Sequence, residues 1–289
     1  MNIAFIGLGN MGAPMASHLA QHHQITAFNR SSKKTEAWLS QNPNQKTASS
    51  AKQACQNSDI LILCVGNDQD VEQLIFGKQG ASESLKTGSL VIDHSTTSSD
   101  LAKRMHKQLK EIGIHYVDAP VSGGQQGAIN GQLTIMCGAD KQVVEQVKSI
   151  TQPYTKTFSH MGEAGAGQLT KMVNQICVAG LIQALAEGIN FGQKAGLDMN
   201  KVMNTLGNGA ASSWQMLNRS QTMIQQEFDF GFAVDLMHKD LNICLNTANE
   251  IDAALPITTL VSQYYEELQN QGNGSLDTSS LLLRLNKLR

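Results

Sequence analysis

Asn2-Ile-Ala-Phe-Ile-Gly-Leu-Gly-Asn-Met-Gly-Ala-Pro-Met-Ala16 is the stretch whose reading decides the fold of this chain. Ile3 to Ile6 is a short apolar run rich in β-branched residues, enough for one buried strand. Gly7, Leu8, Gly9, Asn10, Met11 and Gly12 follow at once, and a helical pattern through Met15 and Leu19 begins behind them. Strand, glycines, helix is the order in which G-x-G-x-x-G means dinucleotide binding. Gly7 permits the tight turn, Gly9 lets backbone N–H groups approach a pyrophosphate, and Gly12 lets helix and strand pack closely. The pyrophosphate then sits at a helix N-terminus, where unpaired N–H groups and the dipole favour an anion.

The end of the second strand, Gln24 to Phe28, bears on which dinucleotide. NAD-binding folds of this kind place Asp or Glu there, about twenty residues past the glycines, to hold the ribose 2′-OH. Here the strand runs into Asn29, Arg30, Ser31, Ser32, Lys33 and Lys34, with no acid. Arg30 can grip a 2′-phosphate bidentately, and Ser31 or Lys34 can assist. A solvated basic turn is the plainer alternative. The reading is NADP, with NAD as the second possibility.

The composition sets modest bounds. A formal charge of −2 implies neither nucleic acid nor an anionic membrane as partner. The five cysteines are scattered, without a C-x-x-C pair, and read as reduced core residues of a cytoplasmic protein. The eight histidines show no ligand spacing, so no metal is expected. The first strand starts at residue 2 without a basic leader, which does not resemble a signal peptide.

The chain continues in α/β rhythm. Asp59 to Val65 and Ser89 to Ile92 are apolar runs suited to central parallel strands. Their polar tails, Gly66-Asn67-Asp68 on one and Asp93 to Thr97 on the other, should face the cofactor at the carboxyl edge of the sheet. His115 to Asp118 and Gln132 to Met136 read as further strands. Beyond Gly162 the pattern is helical. A helix over about 165–193 carries apolar residues on nearly every face, which predicts burial almost all round. Asn174, Gln175, Gln183 and two glycines argue against a membrane span. Further helices are expected from about Asn200, Ala233 and Ile257 and near the C-terminus, with a turn at Gly272 to Gly274. The expected organisation is a Rossmann-type, doubly wound α/β domain over residues 1–162. An all-α domain over 163–289 follows, the long helix linking the two.

Two stretches carry chemistry. Lys171 is the only charged side chain between Glu163 and Glu187. Such a setting lowers a lysine pKa and suits it to proton transfer, unless the side chain snorkels to the surface. Asp118-Ala-Pro-Val-Ser122-Gly123-Gly124 follows a strand and offers a hydroxyl and several backbone N–H groups, which can bind a carboxylate. Taken alone it reads first as a strand-to-helix turn with Ser122 as N-cap.

Together these stretches resemble the β-hydroxyacid dehydrogenase family, which spans 3-hydroxyisobutyrate dehydrogenases, tartronate semialdehyde reductases and serine dehydrogenases. The resemblance rests on Gly7 to Gly12, Asp118 to Gly124, Gly165-Ala-Gly-Gln-Leu-Thr-Lys171-Met-Val-Asn174 and Lys239-Asp-Leu241. They cover nearly the whole chain in the family's order. The resemblance implies a Rossmann domain, a helical second domain and an active site in the cleft between them. It implies Lys171 as the catalytic residue and Ser122, Gly123 and Gly124 as holders of the substrate carboxylate. Thr96 with Val65 and Gly66 would line the nicotinamide, and Lys239 would reach cofactor or substrate. Many members carry Asn four residues after the lysine; this chain has Gln175 there, and Asn174 is the candidate for the substrate-contacting amide.

The implied reaction interconverts a small 3-hydroxy acid, such as 3-hydroxyisobutyrate or L-serine, with its semialdehyde. The expected partners are that small molecule and further copies of the chain in a homodimer or homotetramer. The rival reading is a non-catalytic NADP(H)-binding sensor or scaffold; Lys171 and the Ser122 turn speak against it, since a sensor needs only the first domain.

Overall fold

The computed structural model describes residues 1–287. Contacts divide the chain into two compact units, Met1–Lys171 and the residues from Met172 onward.

The first unit alternates strand and helix: β1 (Asn2–Ile6), α1 (Gly12–Ala20), β2 (Gln24–Phe28), α2 (Ser32–Gln41), β3 (Lys46–Thr47), α3 (Ala51–Cys55), β4 (Ile60–Leu63), α4 (Asp68–Phe76), β5 (Leu90–Asp93), α5 (Ser99–Glu111) and β6 (His115–Asp118). Then come β7 (Val121–Ser122), α6 (Gly124–Ile129), β8 (Leu133–Gly138), α7 (Val144–Thr151) and β9 (Thr155–Gly162). The sheet order is β3-β2-β1-β4-β5-β6-β8-β7, with β9 against β8. From β3 to β6 all neighbours are parallel; β8 runs antiparallel to β6 and β7. The chain order reverses between β1 and β4, the switch point at which open α/β sheets bind ligands.

The apolar runs are continuous because both faces of the sheet are covered. Ile3 and Phe5 on β1, Ile60 and Ile62 on β4, and Leu90 and Ile92 on β5 point into one core with Met15, Leu19 and Trp38. Ala4, Ile6, Leu61, Leu63 and Val91 point into the other with Val71, Leu101 and Met105. The parallel direction of β2, β1, β4, β5 and β6 places the residues after these strand ends at the same carboxyl edge.

Three strands lie outside the expected set: β3, β7 and β9. β7 changes the reading of the Ser122 turn. Ser122 is the last residue of β7, and the N-cap of α6 is Gly123 at φ 126°, with no side-chain cap. Ser122 is therefore not the cap. The first compact unit includes the start of the next helix up to Lys171, which Asp118 and the β5 tail hold.

That helix, α8 (Ala166–Lys194), continues into the second unit, which adds α9 (Met199–Leu206), α10 (Trp214–Gln225), α11 (Val234–Glu250), α12 (Pro256–Asn270) and α13 (Leu281–Lys287). α10, capped by the Ser213 hydroxyl on the Met216 amide, is a helix the pattern did not anticipate. The core gathers Ala179, Ile182, Leu185 and Ile189 of α8 with Met203, Met223, Met237, Leu241, Tyr265 and Leu281. Two expectations about α8 are corrected here. Leu169, Val173, Leu181 and Phe191 are exposed, Phe191 at 73%, because the helix packs on one side only and its other face is apolar as well. Cys177 lies exposed on α8, so it is not a core residue. Length and composition would let α8 cross a bilayer; its packed face instead forms the core of this unit.

Candidate active site

The glycine loop is built by close approach. Gly7 has φ 101°, and a Cβ there would meet the Cys64 carbonyl oxygen at 2.1 Å. A Cβ on Gly12 would lie 1.8 Å from the Gly7 oxygen, so α1 can begin only with glycine at that point. A Cβ on Gly9 would meet nothing within 4 Å, so the loop opens to free space there. The Gly7 amide donates to the Phe28 carbonyl at 3.0 Å, and the Leu8 amide to Asn29 Oδ1 at 2.9 Å. Asn29 therefore ties the β2 tail to the loop. Met11 caps α1 without a side-chain bond, Asn10 is exposed, and the first turn holds no acid. An open cradle of amides at a helix N-terminus fits a pyrophosphate.

At the β2 tail, Asn29 Nδ2 donates to the Ser31 carbonyl at 3.2 Å. The Arg30 side chain is 90% exposed and pairs with Asp70 of α4 at 3.4 Å. An exposed pair of this kind is worth about 0–1 kcal/mol, so the guanidinium is readily recruited by a phosphate. Ser31 is the N-cap of α2, and Lys34 is exposed one turn on.

The β4 and β5 tails are stitched together. The Val65 amide donates to Ser95 Oγ at 2.9 Å. Asp93, fully buried, accepts from the Ser95 amide at 2.9 Å and the Tyr116 hydroxyl at 2.8 Å. Burial pushes its carboxyl up to about 6, against the pull of those donors. Gly66 and Thr96 are half-buried in these tails. Burial also pushes the neighbouring Cys64 thiol up to about 12, which leaves it unreactive.

Lys171 is buried, at 8% exposure, and its Nζ donates to the Val121 carbonyl at 2.9 Å. The amine is thus turned inward beside the Ser122 turn, which is not how a snorkelling lysine lies. Gly123 and Gly124 are exposed at positive φ. In the helical unit a second polar chain forms. Asn174 Nδ2 donates to Gln175 Oε1 at 2.7 Å, Gln175 Nε2 to Asp240 Oδ2 at 2.6 Å, and Lys239 pairs with Asp240 Oδ1 at 2.9 Å. Gln175 is 3% exposed, so its amide serves the protein interior.

Sequence reasoning did not single out Asp118, Gln168 or Asp240 as functional. Asp118 Oδ1 accepts the Gly165 amide at 2.7 Å, and Oδ2 the Gln168 amide at 2.9 Å. Burial pushes this carboxyl up to about 7, the two amides pulling the other way. In the sequence it stood as the first residue of the Asp118 to Gly124 stretch, an acid at a strand end with no role of its own.

This geometry can be set beside known proteins. Residues 2–162 match the family model described as the NAD binding domain of 6-phosphogluconate dehydrogenase. Residues 165–285 match the one described as NAD-binding of NADP-dependent 3-hydroxyisobutyrate dehydrogenase. An uncharacterized oxidoreductase of Shewanella frigidimarina is 47% identical over 99% of both chains. The 2-hydroxy-3-oxopropionate reductase of Escherichia coli is 35% identical over 99% of this chain and 97% of its own. A solved structure of Mycobacterium tuberculosis 3-hydroxyisobutyrate dehydrogenase with L-serine superposes with a TM-score of 0.87 at 26% identity, covering 98% of each chain. With a glycine cradle open at Gly9 and a buried lysine beside a glycine turn, this chain belongs to the β-hydroxyacid dehydrogenase family of NAD(P)-dependent oxidoreductases.

Proposed function

We propose that this chain interconverts a small 3-hydroxy acid, such as 3-hydroxyisobutyrate or L-serine, and its semialdehyde, using NADP in preference to NAD, with Lys171 as general acid and base. The observation that carries the reading is the buried Lys171 amine on the Val121 carbonyl, one residue before Ser122. A carboxylate held by Ser122 and the Gly123 and Gly124 amides places the next carbons of a short acid within reach of that amine.

The dinucleotide, when bound, supplies hydride chemistry; the chain supplies position and the proton. Gly9, Asn10, Met11 and Gly12 would offer backbone N–H groups to the pyrophosphate, while Gly7 and Leu8, whose amides go to Phe28 and Asn29, shape the loop around it. Arg30, helped by Ser31 and Lys34, holds the 2′-phosphate, and Asn29 keeps that tail against the loop. Val65, Gly66 and Thr96 line the nicotinamide, and Lys239 contributes a cation toward cofactor or substrate. In oxidation Lys171 Nζ takes the hydroxyl proton; in reduction it returns it to the carbonyl oxygen. Asn174 contacts the substrate, since the Gln175 amide is already committed to Asn174 and Asp240. The proposed setting is a cytoplasmic homodimer or homotetramer.

The test is a spectrophotometric panel of small 3-hydroxy acids with NADP and NAD, and of their semialdehydes with NADPH. Turnover of at least one such pair, faster with NADP, is the expected result. NADPH binding without turnover of any member would leave the sensor reading instead.

A further inference from the structure

Four elements of the first unit converge on the start of α8. The Asp118 carboxylate at the end of β6 is fully buried and accepts the Gly165 and Gln168 amides. The Gln168 side chain, also fully buried, donates from Nε2 to the Ser95 carbonyl at 2.8 Å. Its Oε1 accepts the Thr97 amide at 3.1 Å. The hydroxyl of Ser99, on α5, donates to the Gly165 carbonyl at 3.3 Å. Close contact holds the same place: a Cβ on Gly167 would lie 2.4 Å from the Met136 carbonyl oxygen on β8, and one on Gly138 would lie 2.5 Å from Asp118 Oδ1. Lys171 stands three residues after Gln168 on the same helix face.

Resting on the function proposed above, we infer that Asp118 and Gln168 are positioning residues, which fix the start of α8 to the β5 and β6 tails and so hold Lys171 Nζ on the Val121 carbonyl. The geometry explains why both are polar and yet fully buried. An apolar pair would leave the Gly165, Gln168 and Thr97 amides and the Ser95 carbonyl unsatisfied and the helix free to slide. It also links the parts of the reaction: the β5 tail carries Thr96, the β6 tail leads into Ser122, and α8 carries Lys171. A general base must sit within about 2.6–3.2 Å of its proton, so displacement of the helix start by even about 1 Å removes it from use.

The test compares Asp118→Asn and Gln168→Met with the unmodified protein in the semialdehyde reduction assay. Asn keeps one acceptor oxygen but sets an NH2 against one of the two backbone donors. Met fills the volume of Gln168 and removes both side-chain bonds while leaving Asp118 intact. Folding is followed by circular dichroism, and NADPH affinity by its fluorescence. We expect kcat to fall at least about tenfold in both variants, with NADPH Kd and KM within about threefold. The pH profile of the residual kcat should shift by about half a unit or more, as the surroundings of Lys171 Nζ change. A merely structural role would lower the melting temperature and the active fraction but leave that profile in place; this result overturns the inference. If Asp118→Asn does not fold, Gln168→Met decides, and normal kcat with an unshifted profile there overturns it. Absence of turnover by the unmodified protein would refute the proposed function instead, a distinguishable failure.

Discussion

Lys171 Nζ donates to the carbonyl of Val121 at 2.9 Å, across 50 residues of sequence. A buried ammonium with a carbonyl partner is held in one place and one direction, as proton transfer requires. Lys171→Ala should cut kcat about 10²- to 10⁴-fold, the usual worth of a positioned proton-transfer group. NADPH affinity should hold, because the amides proposed to hold the pyrophosphate belong to the Gly7 to Gly12 loop and not to Lys171. Lys171→Arg should not rescue turnover, since guanidinium stays protonated. Near-normal kcat in a folded Lys171→Ala protein would remove Lys171 from the mechanism.

Cofactor choice should rest on Arg30. Its guanidinium makes an exposed pair with Asp70, which a 2′-phosphate displaces at little cost. Arg30→Ala should lower kcat/KM for NADP with little change for NAD, a loss of about 1–3 kcal/mol of charge-assisted hydrogen bonding. Equal use of NADP and NAD by the unmodified protein would end this reading.

What could be read from the sequence was local. Strand, glycine loop and helix lie within residues 2–20, so their order alone carries the cradle. The setting of Lys171 was legible because no other charge stands between Glu163 and Glu187. Asp118 was not, because its partners are 47 and 50 residues away. β9 escaped notice because Thr155 to Gly162 is mostly polar and has no clean alternation. The exposed face of α8 was hidden for the opposite reason: when every face is apolar, periodicity cannot say which one packs.

Gly9 and Gly12 of the loop should fail differently. Gly12→Ala sets a Cβ 1.8 Å from the Gly7 oxygen, so the loop must move. It should lower both the melting temperature and NADPH affinity. Gly9→Ala adds a methyl in open space, so folding should be untouched, while NADPH Kd rises at least about tenfold as the methyl takes pyrophosphate room. Thermal melts with and without NADPH distinguish the two. Full affinity in Gly9→Ala would place the pyrophosphate elsewhere.

Stability should carry an acid-sensitive term from His94. Its Nδ1 is 2.6 Å from the Ala119 carbonyl and its Nε2 is 2.8 Å from the Tyr154 hydroxyl. A carbonyl can only accept, so Nδ1 carries the proton and Nε2 accepts from Tyr154. Burial, partly offset by the Ala119 bond, lowers the imidazole from 6.5 to about 4. The unfolded chain then binds a proton below pH 6.5 that the folded chain refuses until about pH 4. Stability from this group is fully present above pH 6.5 and is lost as pH falls toward 4. At pH 5 the loss is about 2 kcal/mol. Asp93 and Asp118, raised to about 6 and about 7, act in the opposite sense, because folding makes them take up protons between roughly pH 4 and 7. The His94 contribution is therefore isolated by His94→Gln, which keeps a donor for Ala119 and an acceptor for Tyr154 without a titrating group. In urea unfolding at pH 7 and pH 5, the unmodified protein should lose about 2 kcal/mol more than His94→Gln over that interval. Parallel losses in the two proteins would mean that His94 keeps an ordinary pKa and is not the acid-sensitive group.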